Sequence, residues 1–168
     1  MEPTTFAAAF GLALLLASSC GLRAFLAPFF LSAAAYEGYV SLPAELAWMG
    51  SPLAVATFSL AIILEVVADK VPLIDHSFDA LHVVIKPVLG ALAGVAIVGP
   101  DAPVVGAVAA MAGGGLLAGG AHLAKASVRV GSTATTLGSG NWVLSLLEDG
   151  LALALAGGVT AAAAWYQG

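Results

Sequence analysis

The chain has 168 residues, 61% of them hydrophobic and 9% charged, where a soluble domain carries roughly 25% charged residues. With a mean hydropathy of +1.03, this argues against a soluble fold. A formal charge of -5, with only five Lys and Arg in all, argues against nucleic acid, because phosphate binding needs clustered cations.

Apolar runs near the length of a membrane helix, about 20 residues, lie at roughly 6–35, 52–68, 86–99, 103–124 and 142–166. They predict an all-α membrane protein, one domain over 1–168 with about five transmembrane helices. The first run is interrupted by Ser18, Ser19, Cys20, Gly21 and Arg23, so it is either one long tilted helix or two half-helices meeting at a break. Its apolar stretch ending in Cys20 also resembles a lipoprotein signal. That reading fails on an n-region with Glu2 and no Lys or Arg, and on the apolar sequence that resumes from Arg23 to Ala35. Cys20 is the only cysteine, which permits no internal disulfide and no cysteine metal site. The third run is short. Turn chemistry separates the runs at Gly38 to Pro43, at Gly50 to Pro52, at Gly99-Pro100-Asp101 and across a Gly/Ser/Thr stretch at 131–141.

Lys70 and Lys86 flank one connection, and Lys125 and Arg129 begin another, while 36–51 and 100–102 contain no Lys or Arg. The positive-inside rule then predicts a multi-pass protein of the bacterial inner (plasma) membrane with a cytoplasmic N-terminus and an outer C-terminus. Tyr36, Tyr39, Trp48, Trp165 and Tyr166 fall at outer ends and Trp142 at an inner one, as interfacial aromatics do. Alanine (37) and glycine (20) make up about a third of the chain, a composition for close helix contact. The small-xxx-small pairs are Gly90 with Gly94, Gly115 with Gly119, and Ala109 with Gly113. Short spans bury little alone, so a homo-oligomer, a dimer first, is expected.

The segment Leu15 to Ala24 resembles Leu116 to Ala126 with one insertion, and Leu60 to Glu65 resembles Val143 to Glu148. This describes an inverted repeat with halves 1–85 and 86–168, or else the likeness of any two Ala/Leu/Gly-rich helices. Glu65 and Glu148 both fall toward the cytoplasm, which speaks against the repeat.

A charge inside a span costs roughly 2.5–3.5 kcal/mol at the centre, so each is a functional candidate. Arg23, Glu65, Glu148 and Asp149 are such residues, and Arg23 is expected to pair with Glu65 or Glu148. Asp69, Ser145 and Asn141 extend the same polar pathway. The alternative is an ion pair that only fixes helix register. The densest polar stretch is 65–86, where Asp75, Asp79 and His82 stand at i, i+4 and i+7, beside His76. Carboxylates with imidazoles suit a divalent metal ion, as cofactor or cargo. They equally suit a proton relay, or a plain solvated loop. His122, Lys125 and Arg129 stand at i, i+3 and i+7, ahead of the polar stretch and a helix start at Asn141 or Ser139. That arrangement suits an anion or phosphate, or a flexible loop with positive-inside anchors. No Walker, HExxH or GxSxG pattern is present.

The motifs SCGLRAF at 19–25, E…ADKVPLIDH at 65–76 and HxxKAxxR…GN…SLLED from 122 to 149 resemble a family of bacterial integral membrane proteins, domain of unknown function 4126. The resemblance covers most of the chain. It implies the membrane class and the residue set, with no reaction attached.

The leading expectation is a small helical transporter or channel for an ion or small solute, a divalent cation first. The alternatives are two. One is an intramembrane enzyme on a lipid or prenyl phosphate at the cytoplasmic face, with Asp69, Asp75 and Asp79 holding metal and Lys125 and Arg129 gripping phosphate. The other is a structural membrane subunit. The expected partners are membrane lipid, a small ion or solute, and a second copy.

Overall fold

The computed structural model describes residues 3–68, 72–137 and 139–167, with residues 3 and 72–80 described by backbone alone. Among them are six α-helices: α1 (Pro3–Leu22), α2 (Leu26–Tyr36), α3 (Pro52–Ala68), α4 (Pro72–Val98), α5 (Val104–Thr136) and α6 (Asn141–Gln167). A short 3₁₀ helix, Ala44–Gly50, precedes α3 at a bend of 69°. Local chemistry sets several ends. The Ala54 N–H donates to Ser51 Oγ at 3.1 Å, an N-cap for α3, whose first residue is Pro52. Gly38 and Gly99 take φ of 77° and 79° just past α2 and α4, the left-handed geometry that stops a helix.

The chain reverses at Arg23–Phe25. Thr5 of α1, Ser41 after α2, Val98 of α4 and Gln167 of α6 share one cavity, and the Ser41 N–H donates to Gln167 Oε1 at 2.7 Å. Leu22, Glu65, Lys125 and Glu148 meet at the opposite end. Hence α1, α3 and α5 run from the terminal end to the charged end, and α2, α4 and α6 run back. The first apolar run is therefore two antiparallel pieces. Of these, α2 covers only about 16 Å of a hydrocarbon core of about 30 Å.

Three expectations change. Both termini lie at one end of the bundle, not on opposite faces. The segments of α1 and α5 matched as repeat copies cross in the same direction, and the halves 1–85 and 86–168 would cut through α4, so the inverted pairing does not hold for them. The Gly/Ser/Thr stretch is helical as far as Thr136, and its hydroxyls are satisfied by bonding back along α5: Thr133 to the Arg129 carbonyl (2.9 Å) and Thr136 to that of Ser132 (2.7 Å).

Glycine sets how closely the helices approach. Added methyls at Gly90 and Gly94 of α4 would collide with Gly114, Ala118 and Ala110 of α5, and one at Gly21 of α1 with the Ala118 carbonyl and Ala121. The α4–α5 contact is the most extensive in the protein. Pro87 inside α4 is accommodated by Gly115 and Gly119, where a side chain would press on it.

Tyr36, Tyr39, Trp48, Trp165 and Tyr166 are exposed toward the terminal end, and Trp142 is exposed at the charged end. Along α6, Trp142 and Trp165 are about 34 Å apart, the spacing of two interfacial belts.

Candidate functional site: a charged cluster at the helix reversal

A reversal inside an apolar bundle strands backbone groups that must be satisfied internally. The end of α1 leaves the Leu22 carbonyl, which accepts from Lys125 Nζ at 3.1 Å. The start of α2 leaves the N–H groups of Ala24 and Phe25, which donate to Glu65 Oε1 and Oε2 at 2.8 and 3.4 Å. A cation thus meets the negative end of one helix and a carboxylate the positive end of the next, the favourable sense for both helix dipoles.

Arg23, at the reversal itself, is buried and donates through Nε to Asp149 Oδ1, with Ser145 Oγ at 3.4 Å from a terminal nitrogen. Asp149 keeps 39% of its side chain exposed, so the cluster reaches the outer surface of the bundle beside α6. Glu148, the neighbouring residue on another face of α6, lies 3.1 Å from Lys125 Nζ and 2.8 Å from an Arg129 nitrogen. Deeper in the bundle, Glu65 Oε1 is 3.9 Å from His82 Nε2. The His82 ring stands edge-on to His122, centroids 6.4 Å apart, and His122 Nδ1 is 3.2 Å from Lys86 Nζ. Glu65 and Lys86 are each 2% exposed. Ser19 and Cys20 are fully buried in the last turn of α1 beneath this chain of groups.

Four of the chain's five Lys and Arg, three carboxylates and two imidazoles therefore form one connected set drawn from the α1–α2 reversal and from α3, α4, α5 and α6. By helical rise, Asp149 lies about 10 Å inside the belt marked by Trp142, within the membrane.

Among the sequence candidates, Arg23, Glu65, Ser145, Glu148 and Asp149 come together, and His122, Lys125 and Arg129 join them. The pairing differs from expectation. Arg23 takes Asp149, Glu148 takes Lys125 and Arg129, and Glu65 serves backbone N–H groups. Asn141 is not in the set: its Nδ2 donates to Thr133 Oγ1 at 2.8 Å within the α5–α6 turn, and the Gly140 carbonyl accepts the Leu144 N–H there. Asp69 and the side chains of Asp75, His76 and Asp79 lie outside the described residues, while His82 turns to Glu65 and His122. Among the described residues no three His, Cys, Asp or Glu side chains gather as a metal requires. Lys86 was missed as a site residue. Its signal was present, since it stands four residues after His82, continuing the spacing of 75, 79 and 82.

A bundle of apolar helices with a shared interior cluster of charges at a broken crossing defines a multi-pass helical membrane protein. The family described as Domain of unknown function (DUF4126) matches residues 10–164, and the chain belongs to it. Comparison with curated proteins and with solved structures returns no match.

Proposed function

We propose that the protein is a small membrane transporter or channel for an ion, and that the cluster around Arg23 is where the ion binds. The observation that carries this reading is the concentration of nearly all the chain's cations at a helix reversal within the membrane. Broken crossings with helix ends turned toward a polar site are how many transporters bind their cargo.

The partners of the described carboxylates favour a small anion over the divalent cation that the sequence puts first. Each described carboxylate of the cluster already accepts from a partner: Asp149 from Arg23, Glu148 from Lys125 and Arg129, Glu65 from Ala24 and Phe25. A cation would have to displace those donors. An anion would instead draw on Arg23, Lys86, Lys125 and Arg129, the cations gathered in the cluster.

Charge bias favours the charged end in the cytoplasm of an inner (plasma) membrane, because Arg23, Lys86, Lys125 and Arg129 all lie toward it. Both termini then face outward, the reverse of the N-terminal orientation suggested by the sequence.

Flux from sealed vesicles tests the reading. Purified protein in liposomes should release chloride, nitrate or phosphate faster than empty liposomes, and Arg23→Gln should abolish that release. Release of Mn²⁺ or Zn²⁺ instead, lost in Glu65→Gln, would reverse the sign of the cargo. No flux of either kind would remove the transport reading.

A further inference from the structure

At the terminal end, opposite the charged cluster, the cavity between α1, α4 and α6 holds about 320 Å³, the low end of the range for small-molecule sites, about 300–1,000 Å³. Ala9 and Leu12 of α1, Ile97 and Val98 of α4 and Ala163 of α6 give it apolar walls. Its polar lining includes Thr5, Asp101, Tyr166 and Gln167. Apolar walls with a few polar groups are the make-up of a ligand site. The Ser41 N–H holds Gln167 in place through Oε1 at 2.7 Å. Among the described residues, the exposed Asp101 carboxylate makes no hydrogen bond or ion pair. The site is distinct from the cluster: α1 runs about 15 Å from Leu12 to Leu22, with Ala13, Leu16 and Ala17 fully buried along the way. It therefore stands whether or not the protein carries an ion.

Two features set the sign of its ligand. The connections at this end, 36–51 and 100–102, contain no Lys or Arg but do contain Glu37, Glu45 and Asp101. In addition, α4 and α6 both end at the cavity, α4 with Ile97 and Val98 and α6 with Tyr166 and Gln167. The last carbonyls of a helix lack partners within it and carry the negative end of its dipole. Neither helix has a basic residue in its last turn to meet that charge. Thr5 belongs to the first turn of α1, so one positive helix end stands against two negative ones.

We infer that this cavity binds a primary ammonium on a short alkyl stem, the ammonium against Asp101 and the carbonyl ends of α4 and α6, and the stem against Leu12, Ile97 and Ala163. An ammonium brings three donors and no acceptor, which suits a carboxylate beside open carbonyls. A bare hard metal ion suits the lining less, because such ions take about six or more oxygens and much of this wall is aliphatic. A free amine and the head of an aminolipid both carry the group, and the exposed Trp165 and Tyr166 set the cavity at an interfacial level where either arrives.

Thermal unfolding of the purified full chain in non-ionic detergent, followed by tryptophan fluorescence and titrated with each probe at matched ionic strength, tests this. The probes are butylammonium, its neutral counterpart butanol, butyrate, and short-chain phosphatidylethanolamine beside phosphatidylcholine. Butylammonium should raise the melting temperature saturably, with a midpoint at least about tenfold below any effect of butanol, as one charge-assisted contact supplies, and butyrate should not raise it. Phosphatidylethanolamine acting at lower concentration than butylammonium, with phosphatidylcholine inactive, would identify the source as a lipid head; the reverse order would identify a free amine. Asp101→Asn should weaken butylammonium about tenfold. Ala9→Leu, which narrows the cavity and leaves the carboxylate, should weaken it as well. Equal stabilisation by butylammonium and butanol would overturn the inference. So would no stabilisation by either butylammonium or phosphatidylethanolamine, or a butylammonium midpoint unchanged in both variants.

Discussion

Glu65 is the most direct test of how the reversal is held. Glu65→Ala removes the acceptor for the buried N–H of Ala24 and the part-buried N–H of Phe25. A buried donor left unmade costs about 1–3 kcal/mol, and with Phe25 counted at the low end the pair costs about 2–4 kcal/mol. Glu65→Gln keeps an oxygen for the closer contact, Ala24 at 2.8 Å, and presents an amide to the looser one at 3.4 Å. Its loss should be about half as large. At about 2–4 °C per kcal/mol for a chain of this size, Glu65→Ala should melt at least about 4 °C lower, with Glu65→Gln between it and the wild type. Thermal unfolding in detergent, followed by tryptophan fluorescence, measures this. Hydrogen exchange adds a local readout, since the amides of Ala24 and Phe25 should lose protection before the middle of α1 does. An unchanged melt for Glu65→Ala, or equal damage from Gln and Ala, would refute the cap.

The close packing of α4 on α5 predicts that Gly94→Leu, which drives a side chain into the Ala110 backbone, costs about 3 kcal/mol or more; thermal melts check it. Cys20 is fully buried and is the only cysteine, so a charged maleimide should label the chain only after unfolding, and labelling of the folded protein from either side would contradict the packing around α1. Tags on the two termini should be cleaved by protease from the same face of sealed vesicles; cleavage from opposite faces would restore an odd number of crossings. Replacing both Lys86 and His122 with Met and Leu removes their mutual contact from the chain of groups that runs to Glu65. The double variant should lose flux, and retained flux would take this pair out of the ion path.

The sequence made the membrane class and most helix positions legible, because long apolar runs and Gly/Pro turns are local signals. The reversal at Arg23–Phe25 was only half legible. Ser18 to Arg23 marked a break, but a bend and a full turn carry the same residues, and the direction of α2 depends on Glu65 and on the packing of α2 against α3 and α6. That one turn altered the side on which the C-terminus lies and the sense of the repeat. Residues at 131–136 read as a loop because Gly, Ser and Thr are weak helix formers; in α5 they continue a helix already 27 residues long at Val130, their hydroxyls bonded back to its carbonyls. Arg23, Glu65, Glu148 and Asp149 stood out because charge is rare in such a chain. Their pairing was not legible, since partners 126 residues apart, as Arg23 and Asp149 are, leave no local trace. Lys86 was misread as a loop flank because α4 begins at Pro72, well before the apolar run.

The cluster contains two kinds of residue, and the distinction bears on what it is for. Glu65 and Lys125 are needed to let the backbone turn inside the membrane, since they hold the groups that α1 and α2 leave open. An account in structural terms alone would end with those two residues. Arg23 and Asp149 bond each other, and Lys86 bonds His122; neither contact closes a backbone group at the turn. Buried polar pairs of this kind give weak returns in stability and are often replaceable by apolar residues. A chain that has five Lys and Arg in all thus places two of them, Arg23 and Lys86, in contacts away from the open backbone groups of the turn. On the ion-carrying reading proposed above, those two contacts are where a charge would cross or wait, and the flux of Arg23→Gln decides it.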